Sequence, residues 1–244
     1  MAHEYEIKRP VEDYATDLTG KLSLPMMMNL AILSSTLQSN VLGIGPSVMR
    51  PRGYGWVILQ YDITINRRPE MDEVIRIQTT VGHNNSFLAR RGFKILSEEG
   101  EVLCDIVSLW AMIDIHKRRM IRLPEDILAK YGSEAVKHLP GMDNPAKIEA
   151  DEDFETRSYR VRYLDIDGNQ HVNNTKYIEW MLDPLDPDFM ESHEVSHVKL
   201  RYENEVHLGH TINSEVILDG NTSRHRIMLG DTVSAEAEIE WRKN

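Results

Sequence analysis

The strongest constraint on the fold of this chain is an order of predicted elements that occurs twice. In the first half, the run Pro25–Val41 has leucines at helical spacing and a proline suited to a first helical turn. In the second half, the shorter run Asn174–Leu182 has apolar residues on one helical face. Each run is followed by four strand-like segments separated by turn residues, at 56–65, 74–81, 88–96 and 102–115 and at 196–206, 212–218, 223–229 and 232–241. A helix followed by antiparallel strands predicts an α+β fold, and its recurrence predicts two tandem copies.

The two halves can be aligned at a single offset. Trp56–Thr64 lies over His197–Glu205 when the halves are shifted by 141 residues, and the alternation of apolar and polar residues then agrees. The same offset sets three polar residues of the second copy over three apolar residues of the first: Asp167, Asn169 and His171 over Met26, Met28 and Leu30. This alignment predicts that one copy is polar at this point and the other is apolar.

An acidic segment separates the two predicted copies. Five of the seven residues from Glu149 to Glu155 are acidic. Because like charges repel each other and stay hydrated, this segment is predicted to be a solvated linker. We therefore predict an N-terminal domain over residues 1–140 and a C-terminal domain over residues 150–244.

The overall charge and the composition exclude several function classes. Lys and Arg number 28 against 39 Asp and Glu, a net charge of −11, which argues against binding a nucleic-acid backbone. No apolar run approaches the roughly 20 residues that a membrane-spanning helix needs. Met1–Pro10 lacks the features of a signal or transit peptide, and the single cysteine, Cys104, cannot form an internal disulfide. We therefore expect a cytoplasmic protein.

The densest polar cluster is Asp165–Asn174, directly before the second predicted helix. Its first residues imitate a calcium-binding loop, but Gln170 replaces the required glycine and Lys176 replaces the bidentate glutamate. The alternative is an Asx-rich turn in which Asn173 or Asn174 caps the helix.

A second pattern, His193–His197, matches the His-Glu-x-x-His string of zinc proteases. That chemistry requires both histidines on one helix, whereas Val195–Tyr202 alternates apolar and polar residues as a strand does. Neither a metal nor another cofactor is therefore expected.

The segment Asp165–Ile178 closely resembles the active-site segment of acyl-acyl-carrier-protein (acyl-ACP) thioesterases. The resemblance covers nearly the whole chain, including Ser108–Met112 and Leu200–Glu205. It implies two tandem hot-dog folds, each a long helix packed on an antiparallel sheet. It also implies hydrolysis of a long-chain acyl-ACP thioester, which releases a free fatty acid and needs no cofactor.

Carried over by position, the catalytic residues of the family fall on Asp167, Asn169, His171 and Glu205. Many plant members have a cysteine after the glutamate, whereas this chain has Val206, so a covalent cysteine mechanism is not expected. The absence of a transit peptide favours a bacterial-type member.

The chemistry of these residues fits thioester hydrolysis. We hypothesise that Glu205 and His171 orient and deprotonate a water molecule, while Asp167 fixes the imidazole or the loop. Asn169, or backbone N–H groups near Asn173 at the positive end of the helix, would stabilise the oxyanion. Either Glu205 or His171 could take the proton.

The resemblance also implies roles for the first half of the chain. Met26–Met28, Leu30 and Leu33 either line a tunnel for the acyl chain or form ordinary core. Arg90–Arg91 and Lys117–Arg119 are either solvated surface residues or a docking patch for the acidic carrier protein. An acyl-coenzyme A thioesterase and a non-catalytic acyl-binding protein are the alternative functions, and a homodimer is compatible with all three.

Overall fold

The computed structural model describes residues 4–149, 151–168 and 171–244. These residues form two compact units. The N-terminal unit runs to Tyr61 and continues over Asn66–Met142, and the C-terminal unit contains Asp62–Ile65 and Asp143–Asn244. Within the described ranges, no helix is both long enough and apolar enough to cross a membrane.

The N-terminal unit is built on one long helix and an antiparallel sheet. Its helices are α1 (Leu24–Val41), α2 (Pro46–Met49) and α3 (Glu125–Tyr131). Its strands are β1 (Glu4–Pro10), β2 (Tyr54–Ile65, whose last four residues group with the C-terminal unit), β3 (Val74–Asn84), β4 (Leu88–Ser97), β5 (Val102–Asp114) and β6 (Arg119–Ile121). The strand order is β1-β3-β4-β5-β2, and β6 pairs with β5.

The C-terminal unit repeats this plan. Its helices are α4 (Asn174–Leu182) and α5 (Pro187–Ser192). Its strands are β7 (Glu155–Arg160), β8 (His193–Tyr202), β9 (Thr211–Asp219), β10 (Thr222–Leu229) and β11 (Thr232–Lys243). The order β7-β9-β10-β11-β8 matches the N-terminal order strand for strand, and every pair in it is antiparallel. The predicted α+β fold with two tandem copies is confirmed.

The offset between the copies is not constant along the chain. At the start of the helices, Ser23 N donates to Ala15 O, and Asn173 N donates to Asp165 O, 150 residues later. After the first long strand of each copy the offset has fallen to 137: Asn66 N donates to Leu103 O, and Glu203 N donates to Ser234 O. The single offset of 141 is therefore wrong, because connections of different length separate the elements of the two copies.

The corrected alignment changes which residues correspond in the loops before α1 and α4. Asp17 N donates to Lys21 O over 3.0 Å, and Asp167 N donates to His171 O over 2.9 Å. Asp167 and His171 therefore correspond to Asp17 and Lys21, and the predicted correspondence with Met26 and Leu30 is wrong. Both loops are polar.

The acidic segment between the copies is more than a solvated linker. Four of its five acids are exposed, but the Glu152 carboxylate accepts two hydrogen bonds from the Arg224 guanidinium, at 2.6 and 2.8 Å. Arg226 donates to the carbonyl oxygen of Ile148, whose own side chain is buried. The segment before β7 is therefore bound by arginines that lie at alternate positions of β10, a contact that its composition alone does not predict.

A fully buried histidine links the stability of the C-terminal unit to pH. His225 lies on β10, and its Nε2 is 2.7 Å from the hydroxyl oxygen of Ser223. Burial lowers the pKa of His225 to about 3. Because the unfolded chain binds a proton here near pH 6.5 and the folded chain does not, the resulting loss of stability grows as the pH falls from 6.5 towards 3.

We predict that the free energy of unfolding at pH 5 is about 2 kcal/mol lower than at pH 7 because of His225. Urea unfolding at the two pH values measures this difference. His225→Gln should remove most of it, and the exposed control His138→Gln should leave it unchanged. An undiminished pH dependence in the His225→Gln variant would contradict the assignment.

Candidate active site

The polar loop before α4 is held in place by a buried carboxylate. A short 3₁₀ turn, Tyr163–Asp165, starts the loop, and Asp165 is completely buried. Its carboxylate accepts hydrogen bonds from the backbone N–H of Arg162 and from the Arg162 guanidinium, both at 2.8 Å. Burial acts to raise the pKa of Asp165, but these hydrogen bonds outweigh it and hold the pKa below its usual value. The loop therefore begins from a rigid, ionised anchor.

Asp167 and His171 lie together in this loop. Besides the backbone hydrogen bond between them, His171 Nδ1 is 3.8 Å from a carboxylate oxygen of Asp167. His171 Nδ1 is also 3.1 Å from the carbonyl oxygen of Val172. Because a carbonyl can only accept, Nδ1 carries the proton in the neutral ring, and Nε2 is then the basic nitrogen. The His171 and Asp167 side chains are 12% and 24% exposed, so both are shielded but within reach of solvent.

Glu205 lies in the turn between β8 and β9, and a backbone hydrogen bond joins this turn to the polar loop. Val172 N donates to Val206 O over 3.1 Å. The residue after His171 is therefore hydrogen-bonded to the residue after Glu205. The Glu205 side chain is 40% exposed, and one of its oxygens is 4.0 Å from Nε2 of His207. The sequence prediction did not include His207.

The start of α4 is capped as the Asx-turn interpretation predicts. Asn173 is the N-cap residue, and its side-chain oxygen accepts the Thr175 N–H at 3.1 Å. Val172 N and Asn173 N donate to backbone carbonyls, and Lys176 N donates to Asn173 O. These N–H groups already have acceptors, which counts against the expectation that they stabilise an oxyanion.

Of the four predicted catalytic residues, Asp167 and His171 lie side by side, and Glu205 is linked to them through the Val172–Val206 hydrogen bond. Asn169 lies outside the described residues. Within the described ranges, no group of three or more His, Cys, Asp or Glu side chains is arranged to hold a metal ion.

The corresponding loop of the N-terminal unit makes the same backbone hydrogen bond to its neighbouring turn, but a different residue stands in the place of Glu205. Leu22 N donates to Pro69 O as Val172 N does to Val206 O, so Arg68 stands where Glu205 stands in the other copy. Arg68 is buried and forms an ion pair with Asp17, the residue that corresponds to Asp167. The N-terminal copy therefore has an ion pair in place of a glutamate that faces solvent.

The apolar residues predicted in α1 are largely shielded from solvent. Met27, Met28 and Leu30 are buried, and Met26 and Leu33 are half-buried. This burial is compatible with both roles weighed for them, core packing and contact with an acyl chain.

One of the predicted docking arginines is not on the surface. Arg91 is buried, donates to Gln38 Oε1 at 2.6 Å and to Thr79 Oγ1 at 3.0 Å, and lies over the ring of Tyr131. Burial lowers the pKa of Arg91. Arg91 cannot contact a carrier protein, because tertiary packing encloses its side chain. The exposed candidates are Lys117, Arg118 and Arg119.

The two histidines of the His-Glu-x-x-His string lie on strand β8, as their alternation predicts. The ring of His193 stacks on Phe189 with a centroid distance of 4.2 Å. Nε2 of His197 is 2.8 Å from a carboxylate oxygen of Asp62. The two imidazoles therefore have separate partners.

Each of the two units matches a known protein family. Residues 2–131 match the family model of the acyl-ACP thioesterase N-terminal domain, and residues 148–243 match that of the C-terminal domain. The chain belongs to the acyl-ACP thioesterase family. The matched C-terminal segment contains all four predicted catalytic positions.

Individual relatives show how far the similarity extends. A Lactobacillus plantarum structure, provisionally described as an oleoyl thioesterase, is 35% identical with a TM-score of 0.94 and covers 99% of this chain and 97% of its own. The 12:0-ACP thioesterase of Umbellularia californica has the same fold, at 21% identity and a TM-score of 0.87, with 99% of this chain and 98% of that chain covered. The predicted tandem hot-dog fold is confirmed.

Among sequence relatives, a chloroplastic dodecanoyl-ACP hydrolase of Cinnamomum camphora is 26% identical over 214 residues, which are 82% of this chain and 56% of the relative. The chain spans between about two fifths and three fifths of the length of the chloroplastic relatives it matches.

The two N-caps provide a matched test of the local structure at this site. Asn173→Ala removes the acceptor of the Thr175 N–H, so it should lower the free energy of unfolding by about 1 kcal/mol. Ser23, the N-cap of α1, makes no such side-chain hydrogen bond, so Ser23→Ala should change the free energy by less than about 0.5 kcal/mol. Urea denaturation of the three proteins measures both values, and equal losses in the two variants would contradict the cap assignment.

Proposed function

We propose that this chain hydrolyses the thioester of a long-chain acyl-ACP and releases the free fatty acid. Membership of the acyl-ACP thioesterase family supports this class of reaction. The observation that carries the proposal is the Val172–Val206 hydrogen bond, which joins the loop of Asp167 and His171 to the turn of Glu205. In this arrangement the Glu205 carboxylate and the His171 imidazole project from two segments that are hydrogen-bonded to each other.

The reaction needs a base, a site for an oxyanion and a proton for the leaving thiolate. In the proposed mechanism, Glu205 or His171 takes a proton from water as the water oxygen attacks the thioester carbonyl. The carbonyl becomes a tetrahedral oxyanion, which the Asn169 amide stabilises by donating a hydrogen bond. The carbon–sulfur bond then breaks, the carbonyl re-forms, and the proton held by the base passes to the thiolate of the carrier.

The loop geometry supports distinct roles for Asp167 and His171. The hydrogen bond from His171 Nδ1 to Val172 O leaves Nε2 as the nitrogen that can exchange a proton with water or thiol. A carboxylate oxygen of Asp167 lies 3.8 Å from Nδ1, on the side of the ring opposite to this exchange. The Val172 carbonyl therefore orients the His171 ring, while Asp167 closes the loop through its backbone hydrogen bond to His171 O.

The cysteine chemistry of the chain supports direct attack by water. Val206 follows Glu205 at the position where many plant members have a cysteine. Cys104 is buried on β5, and burial raises the pKa of its thiol. A thiol in this environment is a poor nucleophile at neutral pH.

We further propose that the N-terminal unit binds the acyl chain and that Lys117, Arg118 and Arg119 contact the acidic carrier protein. The buried methionines of α1 support the first role, since methionine adapts to irregular apolar surfaces. The exposure of the three basic residues supports the second. We also propose that the protein is located in the cytoplasm.

Steady-state hydrolysis of a long-chain acyl-ACP by conservative variants tests the four site residues. Glu205→Gln, His171→Asn and Asn169→Ala should each lower kcat by about 10²- to 10³-fold, because each removes a base or an oxyanion donor. Asp167→Asn should lower kcat less, since Asp167 acts through His171 and the loop. The controls Glu203→Gln and His210→Asn change the same residue types in the same turn and should keep near-native rates. Near-native activity in all four site variants would refute the assignment.

Parallel assays with acyl-ACP and acyl-coenzyme A distinguish the alternative functions. The chain should hydrolyse acyl-ACP faster than acyl-coenzyme A. The rate with acyl-ACP should fall as added salt screens the charges of Lys117, Arg118 and Arg119. A preference for acyl-coenzyme A would identify the chain as an acyl-coenzyme A thioesterase. Tight binding of the acyl thioester without release of a free thiol would make it an acyl-binding protein.

A further inference from the structure

We propose that Tyr177 is a positioning residue whose hydroxyl holds Glu205 in its working place. The inference rests on the proposed function, in which Glu205 helps to activate water. It goes beyond that proposal by assigning a role to a side chain on α4 that need not touch substrate.

Val206, the residue next to Glu205, is held by two backbone hydrogen bonds, and Tyr177 accepts one of them. Val206 O accepts the Val172 N–H at 3.1 Å, and Val206 N donates to the Tyr177 hydroxyl oxygen at 3.2 Å. Both polar backbone groups of Val206 are therefore bound, one to the polar loop and one to the helix. The backbone next to Glu205 is restrained on both sides.

Tyr177 is itself well fixed. It is buried, with edge-on aromatic contacts to Trp180 at 5.9 Å and to Tyr202 at 5.4 Å between ring centroids. Burial raises the pKa of Tyr177 to about 12, so the hydroxyl stays neutral at the pH of the reaction. A rigid, neutral hydroxyl is a suitable anchor for a backbone N–H.

The N-terminal copy provides an internal comparison. There the first attachment is retained, since Leu22 N donates to Pro69 O at 2.8 Å. The second attachment cannot form, because proline has no N–H and Met27, which corresponds to Tyr177, has no hydroxyl. The residue before this proline is Arg68, in the place of Glu205. The attachment to the helix is thus found in the copy that has the glutamate and is missing from the copy that does not.

The exposure of Glu205 explains why such an attachment matters. Its side chain is 40% exposed, so packing alone does not fix the direction of the carboxylate. A general base must stay within hydrogen-bond reach of the water it activates, and small displacements reduce the rate strongly. The hydroxyl of Tyr177 restricts the backbone from which this carboxylate projects.

The test compares two tyrosine-to-phenylalanine variants from the same aromatic cluster. Tyr177→Phe removes the acceptor of the Val206 N–H, whereas the control Tyr202→Phe removes a hydroxyl that donates to Asn174 O at 2.9 Å. For hydrolysis of a long-chain acyl-ACP, Tyr177→Phe should lower kcat about tenfold with little change in KM. Tyr202→Phe should stay within about twofold of the native kcat. Thermal unfolding of both variants shows whether their stabilities are comparable.

A second comparison isolates the action through Glu205. In a Glu205→Gln background, Tyr177→Phe should cause no further loss of kcat, because the group it positions has been removed. The inference is overturned if Tyr177→Phe keeps native kcat, if Tyr202→Phe loses as much, or if the loss persists in the Glu205→Gln background. If Glu205→Gln alone keeps full activity, the proposed function of Glu205 fails instead.

Discussion

The backbone hydrogen bond from Val172 N to Val206 O is the interaction on which the candidate site depends. The polar loop and the turn after β8 are separated by more than thirty residues of chain, and this bond makes them neighbours. Together with the hydrogen bond from Val206 N to the Tyr177 hydroxyl, it fixes the turn of Glu205 against the segment that carries His171. The bond recurs in the N-terminal copy between Leu22 and Pro69, which identifies it as a property of the repeated fold.

The two copies use this shared backbone differently. In the C-terminal copy the turn carries Glu205, with its side chain partly open to solvent. In the N-terminal copy the buried Arg68 occupies the same place and forms an ion pair with Asp17, whose side chain is 35% exposed. Each charge of this ion pair is matched by the other, so the same scaffold supports a candidate site in one copy and a structural ion pair in the other.

Local patterns in the sequence predicted much of the fold, and tertiary contacts account for what they missed. The bounds of α4 and the role of Asn173 follow from helix periodicity and Asx chemistry, which act over a few residues. Strand β1 was missed because it lies at the edge of its sheet and carries charges at alternate positions. The alignment of the copies was wrong because it depends on loop lengths, and the burial of Arg91 depends on Gln38, Thr79 and Tyr131 from distant segments.

The most direct test of the account is a single turnover of a long-chain acyl-ACP by the purified chain in ¹⁸O-labelled water, with the products analysed by mass spectrometry. Water attacking the thioester carbonyl should give a free fatty acid with one ¹⁸O atom in its carboxylate, together with an equal amount of free carrier thiol. Recovery of intact acyl-ACP, or of a fatty acid without the label, would contradict it.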